Sequence, residues 1–371
     1  MWNAGSEPTI VEGGCRSMAL IHPRSLERWQ EWRSSRRRAR GIHRAVPAPL
    51  RRVAGGTEPG SPPGYLLHTR EGDGSERVLL GVDTSSDTTR GGLLVALSYL
   101  HGTALVLTPA GLDLPELSGP DWEHEHLEDP RATLDQLGIS SALTLGWHLD
   151  VGRLIHEWTL ASDVPSAVVQ HDVLSPFAPP LPPRTTFLAW SEADGDFQRA
   201  GRDDVEVRVV GSQRLWQAAH ANSEGPEVLE DRPVFLGQLA SIELPRRLTL
   251  GAAHAYCRSL DALYQPGPEE TDRLSRAAHA LLRRRGVELQ LPPLPVARLE
   301  RPVVAVYSAD VLEAAVRGLP AWVHGPRMPS WVHEQWERYG MRRSGGEPTP
   351  APPQDADEPA RLIAQILEGT A

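Results

Sequence analysis

The 371-residue chain contains no lysine, so all 38 of its Lys+Arg residues are arginines. A Walker-A phosphate loop depends on its lysine, and so does a protein-kinase site. A Schiff base between a lysine and a carbonyl substrate needs the same side chain. The absence of lysine therefore excludes these three classes of chemistry.

Cysteine is nearly absent as well. Cys15 and Cys257 are far apart, and neither belongs to a C-x-x-C pair, so the sequence predicts no disulfide framework and no structural zinc. No run of about 18 apolar residues is present, which excludes a membrane-spanning helix. The first residues lack the charged start and apolar stretch of a secretory signal. These features together predict a cytoplasmic protein.

Positive charge is in deficit overall, since the net charge is -10 and the pI is about 5.8. A polyanion partner is therefore disfavoured, because phosphate contacts need a positive surface. The predicted helix Arg24–Arg40 is the exception, with an arginine run from Arg33. One interpretation is contact with nucleic acid or an anionic membrane surface. The favoured alternative is a solvated helix that packs on the body through Trp29 and Trp32.

Short apolar runs alternate with helical stretches from Arg77 onwards, a pattern typical of βαβ units and a parallel sheet. Polar residues from Ala221 to Asp231 separate two such series. The predicted fold is α/β, with two Rossmann-like domains facing a central cleft. The predicted division is a basic, Pro/Gly-containing N-terminal extension (1–70), an N-terminal Rossmann-like domain (71–225), a C-terminal Rossmann-like nucleotide-binding domain (226–342), and a flexible linker with a C-terminal helix (343–371).

Open parallel sheets bind ligands beyond the carboxyl ends of their strands. The candidate site residues are therefore those that directly follow an apolar run. They are Asp83, Gln170–Asp172, Gly237–Gln238, Gln265–Pro268 and Ser308–Asp310.

Around Ser308 the sequence predicts a strand that ends before this serine, a helix that begins after it and ends at Gly318, and a second strand beyond that glycine. Ser308 can cap the helix, and the free N–H groups of a helix start suit a phosphate. Asp310 in the same turn would repel an anion, so an ordinary capped turn remains the alternative. The loop Tyr264–Glu270 also leads into a predicted helix start. Two such turns side by side could hold the two ends of a nucleoside diphosphate.

Four short motifs carry a resemblance to a known family. They are Val169–Asp172, Val210–Arg214, Gln265–Pro268, and Ser308–Asp310 with Glu313. They are similar to the Gln-His-Gly strand end, the Val-x-Gly-x-x-Arg turn, the Arg-Pro-His-Pro loop and the Ser-Thr or Ser-Ser helix start of bacterial GT-B-fold transferases. The chain thus resembles the capsule and teichoic-acid transferases, which include polysialyltransferases and CDP-glycerol glycerophosphotransferases.

The resemblance implies a nucleotide-sugar or CDP/CMP-type donor as substrate, no cofactor and no bound metal. Its implied role would be polysaccharide or secondary-metabolite biosynthesis. His171 is the predicted catalytic base, with Asp172 raising its pKa by charge pairing; a structural histidine at a strand end is the alternative. The predicted nucleotide-binding residues are Gly237, Gln238, Gly267, Pro268, Glu269, Ser308, Ala309 and Glu313.

The sequence also departs from the family pattern. Gln265 and Gly267 stand where the family has arginine and histidine, Asp172 stands where it has glycine, and Ala309 replaces the second hydroxyl. Each lost donor removes transition-state stabilisation of about 3 kcal/mol. Two hypotheses follow: an active glycosyl or glycerol-phosphate transferase, or a catalytically degenerate relative that binds a nucleotide as a partner or sensor. A third is an RNA-associated protein that uses the arginine run.

Two acidic stretches invite a metal-binding interpretation. In Glu123–His126 the two histidines would share one face of an extended chain, but an acidic loop is favoured. Asp194-Gly-Asp196 mimics the Asp-x-Asp motif of the other glycosyltransferase fold. It falls in a predicted first helical turn, where acidic residues stabilise the helix dipole. We predict no metal site.

Overall fold

The computed structural model of the protein describes residues 19–39, 64–221 and 230–370. Most of the predicted N-terminal extension, including Cys15, lies outside these ranges. So does most of the predicted domain boundary, residues 222–229.

The strands and helices of the described residues alternate along most of the chain. The strands are β1 (Tyr65–Arg70), β2 (Arg77–Gly81), β3 (Thr103–Pro109), β4 (Glu123–Leu127), β5 (Ser141–Thr144), β6 (Ser166–Val169), β7 (Thr185–Ala189), β8 (Val205–Val209), β9 (Val234–Leu236), β10 (Leu263–Gln265), β11 (Val303–Ala305) and β12 (Ala321–Val323). The helices are α1 (Leu26–Ala39), α2 (Asp87–Gly92), α3 (Pro130–Leu134), α4 (Asp150–Ser162), α5 (Glu192–Arg199), α6 (Gln213–His220), α7 (Arg246–Ser259), α8 (Arg273–Arg284), α9 (Ala309–Val316), α10 (Ser330–Arg338) and α11 (Pro359–Leu367).

The first sheet has eight strands in the order β4-β1-β3-β2-β5-β6-β7-β8. From β3 to β8 all neighbours are parallel. Helices cover both faces of such a sheet, so its central strands are apolar on both sides. Leu79 and Leu80, on opposite faces of β2, are accordingly both fully buried.

Two antiparallel strands at one edge of this sheet correct the sequence prediction. Strand β1 pairs antiparallel with β3 and β4, so the first domain begins before residue 71. Strand β4 was predicted as an acidic loop. It is an edge strand with four exposed residues followed by buried Leu127, and charged side chains are common on edge strands.

The second sheet is smaller and wholly parallel, with the order β10-β9-β11-β12. Its core includes Phe235, Tyr264 and Trp336, all nearly inaccessible to solvent. The two sheets form two lobes that face each other across a cleft. The predicted α/β fold of two Rossmann-like, GT-B-like domains is thereby confirmed.

Helix α1 packs on the body through its tryptophans. The Trp29 indole N–H donates to the Phe177 carbonyl oxygen at 2.8 Å, and Trp32 stacks on the Phe177 ring at 4.9 Å. Arg36–Arg38 stay exposed on the other side. This arrangement agrees with the favoured interpretation of a solvated helix docked by its aromatic side.

The C-terminal segment differs from the predicted flexible linker. The amide N–H groups of Ser344 and Thr349 donate to carbonyl oxygens of Val323 and Ala321, which holds the segment against β12. The chain then returns to the first lobe. Here α11 buries Ile363 and Leu367.

Candidate functional site

The cleft between the two lobes has a volume of about 1100 Å³. The carboxyl ends of β6, β7, β9, β10 and β11 open into it, because parallel strands all end at the same edge of their sheet. Seven of the nine predicted site residues line this cleft. They are His171, Gly237, Gly267, Pro268, Glu269, Ser308 and Glu313.

The other two predicted site residues have structural roles. Gln238 turns away from the cleft, and its amide oxygen accepts hydrogen bonds of 3.0 Å from the backbone N–H groups of Val306 and Tyr307. It thus ties the end of β9 to the end of β11. Ala309 is 1% exposed within the first turn of α9. The prediction of nucleotide contacts is not supported at these two positions.

Asp83 also lies outside the cleft lining. Its carboxylate accepts hydrogen bonds from the N–H groups of Val151 and Gly152 at 2.8 and 3.1 Å. These N–H groups belong to the first turn of α4, where a carboxylate satisfies unpaired donors and the helix dipole. Asp83 therefore caps a helix.

His171 lines the cleft two residues after the end of β6. A Cβ added to Gly92 would lie 3.6 Å from the His171 Cβ, so the glycine-containing end of α2 packs against it. The surrounding protein lowers the pKa of His171, and Asp172 opposes this only in part. The expected rise of the His171 pKa is wrong, because desolvation outweighs the charge pairing. A neutral imidazole at neutral pH is the form that accepts a proton.

Asp172 reaches the solvent of the cleft but has protein on most sides. This confinement raises the pKa of Asp172, while His171, the Val173 N–H and Arg214 pull it back. The Asp172 carboxylate accepts the Val173 N–H at 2.8 Å, which fixes its orientation beside the imidazole.

The turns after β9 and β10 pack back to back. A Cβ on Gly237 would lie 2.4 Å from the Tyr264 hydroxyl oxygen, and one on Gly267 would lie 2.6 Å from the Gly237 carbonyl oxygen. Both positions therefore need glycine for this close approach. Glu270 fixes the pair of turns by accepting the Leu239 N–H at 2.8 Å and the Tyr264 hydroxyl at 2.9 Å.

The turn at 267–270 is not a helix start, in contrast to the prediction. Helix α8 begins at Arg273, and Asp272 caps it by accepting the N–H groups of Leu274 and Ser275. The prolines on both sides of Gly267 and the inward Glu270 keep residues 266–270 in an irregular loop. One helix start, that of α9, therefore faces the cleft at this edge, where two were expected.

Arg214 joins the two lobes across the cleft. Its guanidinium reaches from α6 to the first turns of α9, where it bonds to Asp310 and, at 2.6 Å, to Glu313. Burial alone would lower the pKa of Arg214, but the two carboxylates reverse this and raise it. Arg214 is thus a permanent cation placed next to Ser308, which caps α9.

The charges that line the cleft are predominantly negative. Four carboxyl groups (Asp172, Glu269, Asp310 and Glu313) face one guanidinium, that of Arg214. Over the residues that the structure describes, a second arginine does not line the cleft. An anionic ligand would therefore have Arg214 as its principal electrostatic partner.

Other cleft residues were not predicted from the sequence. The hydroxyl-bearing Ser85, Ser86 and Thr88 line it from the loop after β2 and the start of α2. Trp190 lines it from the end of β7, with its indole N–H bonded to the Gln170 carbonyl oxygen at 3.0 Å. The strand-end rule that selected His171 would have selected Trp190 if it had been applied to β7, and Ser85 and Ser86 if it had been extended beyond Asp83.

The two metal-binding candidates take other roles. In β4, His124 meets His68 with 2.8 Å between their Nδ1 atoms. Asp194 is buried in α5 and accepts the Gln170 amide at 3.0 Å. Within residues 19–39, 64–221 and 230–370, no group of three or more His, Cys, Asp or Glu side chains could hold a metal ion. No helix in these ranges combines the length and hydropathy that a membrane crossing requires.

The chain shows only distant structural likeness to the known proteins it was compared with. No protein-family model and no curated protein matches the chain. A Listeria monocytogenes crystal structure assigned as a UDP-N-acetylglucosamine 2-epimerase has 13% identity and a TM-score of 0.46, over 78% of this chain and 87% of its own. The S. aureus MnaA–UDP structure has 11% identity and a TM-score of 0.48, over 79% and 88%. At these scores the likeness adds no argument about function.

Proposed function

We propose that the cleft binds a nucleotide-activated sugar or glycerol donor and that the chain transfers the activated group to an acceptor. The observation that supports this is the convergence of five strand ends, from two facing sheets, on one cleft of about 1100 Å³. That edge of an open parallel sheet is where ligands bind. The volume is sufficient for a nucleotide with an attached sugar.

The diphosphate of the donor would lie at the start of α9, next to Ser308 and Arg214. A guanidinium forms paired hydrogen bonds with phosphate as well as with carboxylate. On donor binding, Arg214 would exchange Asp310, 31% exposed at its side chain, for a phosphate oxygen and keep the more buried Glu313. His171 would accept the proton of the acceptor hydroxyl as general base.

The test is calorimetric titration with UDP, CDP, CMP, GDP and UDP-N-acetylglucosamine, followed by donor turnover. The His171→Ala variant should keep nucleotide affinity and lose turnover by about 10²–10⁴-fold, the usual contribution of a general base. His126→Ala, at an exposed position of β4, is the control and should behave as wild type. Equal turnover in the His171 variant would remove this residue from the mechanism.

A second candidate function is nucleotide binding without catalysis, as a partner or sensor. The observation in its favour is the engagement of Arg214 by two carboxylates, which leaves the cleft with an excess of negative charge. Nucleotide binding without turnover of any donor would support it. If no nucleotide binds, both candidates fail.

A further inference from the structure

A second cavity, a groove of about 550 Å³, lies on the first lobe and borders α2. We define it by Arg70, Arg90, Leu94, Leu97, Glu116 and Trp122, which line it. Leu94 and Leu97 are buried and give it an apolar base. Trp122 supplies an aromatic wall, which suits the C–H faces of a sugar ring.

The groove carries a cation that is not neutralised by a carboxylate. The Arg70 guanidinium donates to the Leu97 carbonyl oxygen at 2.5 Å and lies 5.4 Å from the Trp122 ring centre. Across the described part of the chain, Arg70 takes part in no ion pair with an acidic side chain. A guanidinium has five N–H donors, and one carbonyl oxygen leaves most of them for a ligand.

The other two charged side chains of the groove, Arg90 and Glu116, neutralise each other. Arg90 pairs with Glu116 at 2.5 Å, with side chains 40% and 31% exposed. The groove is therefore positive by one charge, whereas the cleft has four carboxyl groups and one guanidinium. A ligand that carries a carboxylate in addition to the donor's diphosphate is better matched to the groove, because the one guanidinium that lines the cleft in the described residues, that of Arg214, is assigned above to the diphosphate.

The groove and the cleft meet at α2. Gly91 lines both cavities, and the neighbouring Gly92 packs against His171. Because glycine has no side chain, these two positions put little between a ligand in the groove and the imidazole. A ligand in the groove would therefore approach His171 past Gly91 and Gly92.

From this geometry we propose that the groove binds an anionic saccharide and presents its hydroxyl group to His171. The saccharide is the acceptor of the proposed transfer, so the presentation step depends on the proposed function. The hydroxyl proton passes to the imidazole of His171, and the oxygen forms a bond to the anomeric carbon of the donor. The bond from that carbon to the diphosphate breaks, and the nucleoside diphosphate leaves with the electron pair.

The test is calorimetric titration of the full chain with 3′-sialyllactose and tetragalacturonate, each beside its neutral counterpart, lactose and maltotetraose. The anionic saccharides should bind more tightly than the neutral ones. Arg70→Gln should weaken anionic binding about tenfold, as expected for loss of one charged hydrogen bond. Trp122→Phe should weaken both kinds, and Arg131→Gln, at an exposed arginine of α3, should change neither.

Binding of neither anionic saccharide, or binding that persists in Arg70→Gln, would overturn the proposal. Addition of the bound saccharide should also raise donor turnover in the wild type and not in Arg70→Gln; no stimulation would overturn the presentation step. The nucleotide titration separates the two proposals. Saccharide binding lost in Arg70→Gln, without any nucleotide binding, would leave the groove site standing and remove the proposed transferase function.

Discussion

Buried histidines should make the first lobe sensitive to mild acid. His156 on α4 is 1% exposed, and its Nε2 contacts the Thr144 hydroxyl on β5 at 2.7 Å. Burial lowers the pKa of His156 to about 3. In the unfolded chain the imidazole regains its ordinary pKa of about 6.5. Protonation therefore favours unfolding, and stability that is present above about pH 6.5 is lost as the pH falls.

The magnitude follows from the two pKa values. Between about pH 7.5 and about pH 5, this histidine alone should lower the free energy of unfolding by about 2 kcal/mol. The figure barely depends on the folded pKa, because any value well below 5 leaves the native imidazole neutral at both pH values. His68, with its pKa lowered to about 4, and His148, with its pKa lowered to about 3, act in the same direction.

The assay is urea denaturation followed by far-UV circular dichroism at the two pH values. His156→Gln should be less stable than wild type at the higher pH. Its loss of stability on acidification should nevertheless be about 2 kcal/mol smaller than that of wild type. His126→Gln should show the full wild-type loss. An equal acid-induced loss in wild type and His156→Gln would refute the reasoning.

Arg214→Gln and Gly237→Ala test the cleft, and Glu243→Gln tests a carboxyl group that lies outside its lining. Arg214→Gln leaves two carboxylates unpaired and should lower the free energy of unfolding by about 1–3 kcal/mol. The same variant should abolish nucleotide binding. Unchanged nucleotide affinity would contradict the proposal that Arg214 binds the phosphate of the donor. Gly237→Ala should lower the free energy of unfolding by about 1–3 kcal/mol, because the added methyl group overpacks against Tyr264. The control Gly251→Ala, which has open space in α7, should raise it by about 0.5–1 kcal/mol. Equal shifts of the melting temperature in the two variants would argue against the close packing of the turns after β9 and β10. Burial raises the pKa of Glu243 to about 7, so the free energy of unfolding should fall as the pH rises through that value. Glu243→Gln should remove this fall in denaturant titrations at a series of pH values. An unchanged dependence of the free energy of unfolding on pH would show that Glu243 is not its source.

The order of strands and helices was predictable because local patterns determine it. Fully apolar runs such as Leu79–Leu80 mark central parallel strands, and the residues that follow them meet at one edge of the sheet. This placed His171, Gly237 and Ser308 at the cleft. The edge strands were missed, since the solvent side of β4 is rich in Glu and His and lacks the apolar run that marks a central strand.

Side-chain partners could not be predicted, because they depend on contacts between distant parts of the chain. Arg214 and Glu313 are 99 positions apart, and no local pattern indicates that they form an ion pair. The role of Gln238 depends likewise on the end of β11. The helix start expected after β10 failed for a related reason, since Glu270 is held by Leu239 and Tyr264 and not by a helical turn.

Because α11 packs on the first lobe, the C-terminal segment links the second lobe back to the first. The chain crosses to the second lobe between α6 and β9, and within the described residues it crosses back before α11, so relative motion of the lobes must bend both connections. Cleavage at the first crossing would also leave the fragments joined without a covalent bond, because Glu368 of α11 accepts the backbone N–H groups of His101 and Gly102 on the first lobe.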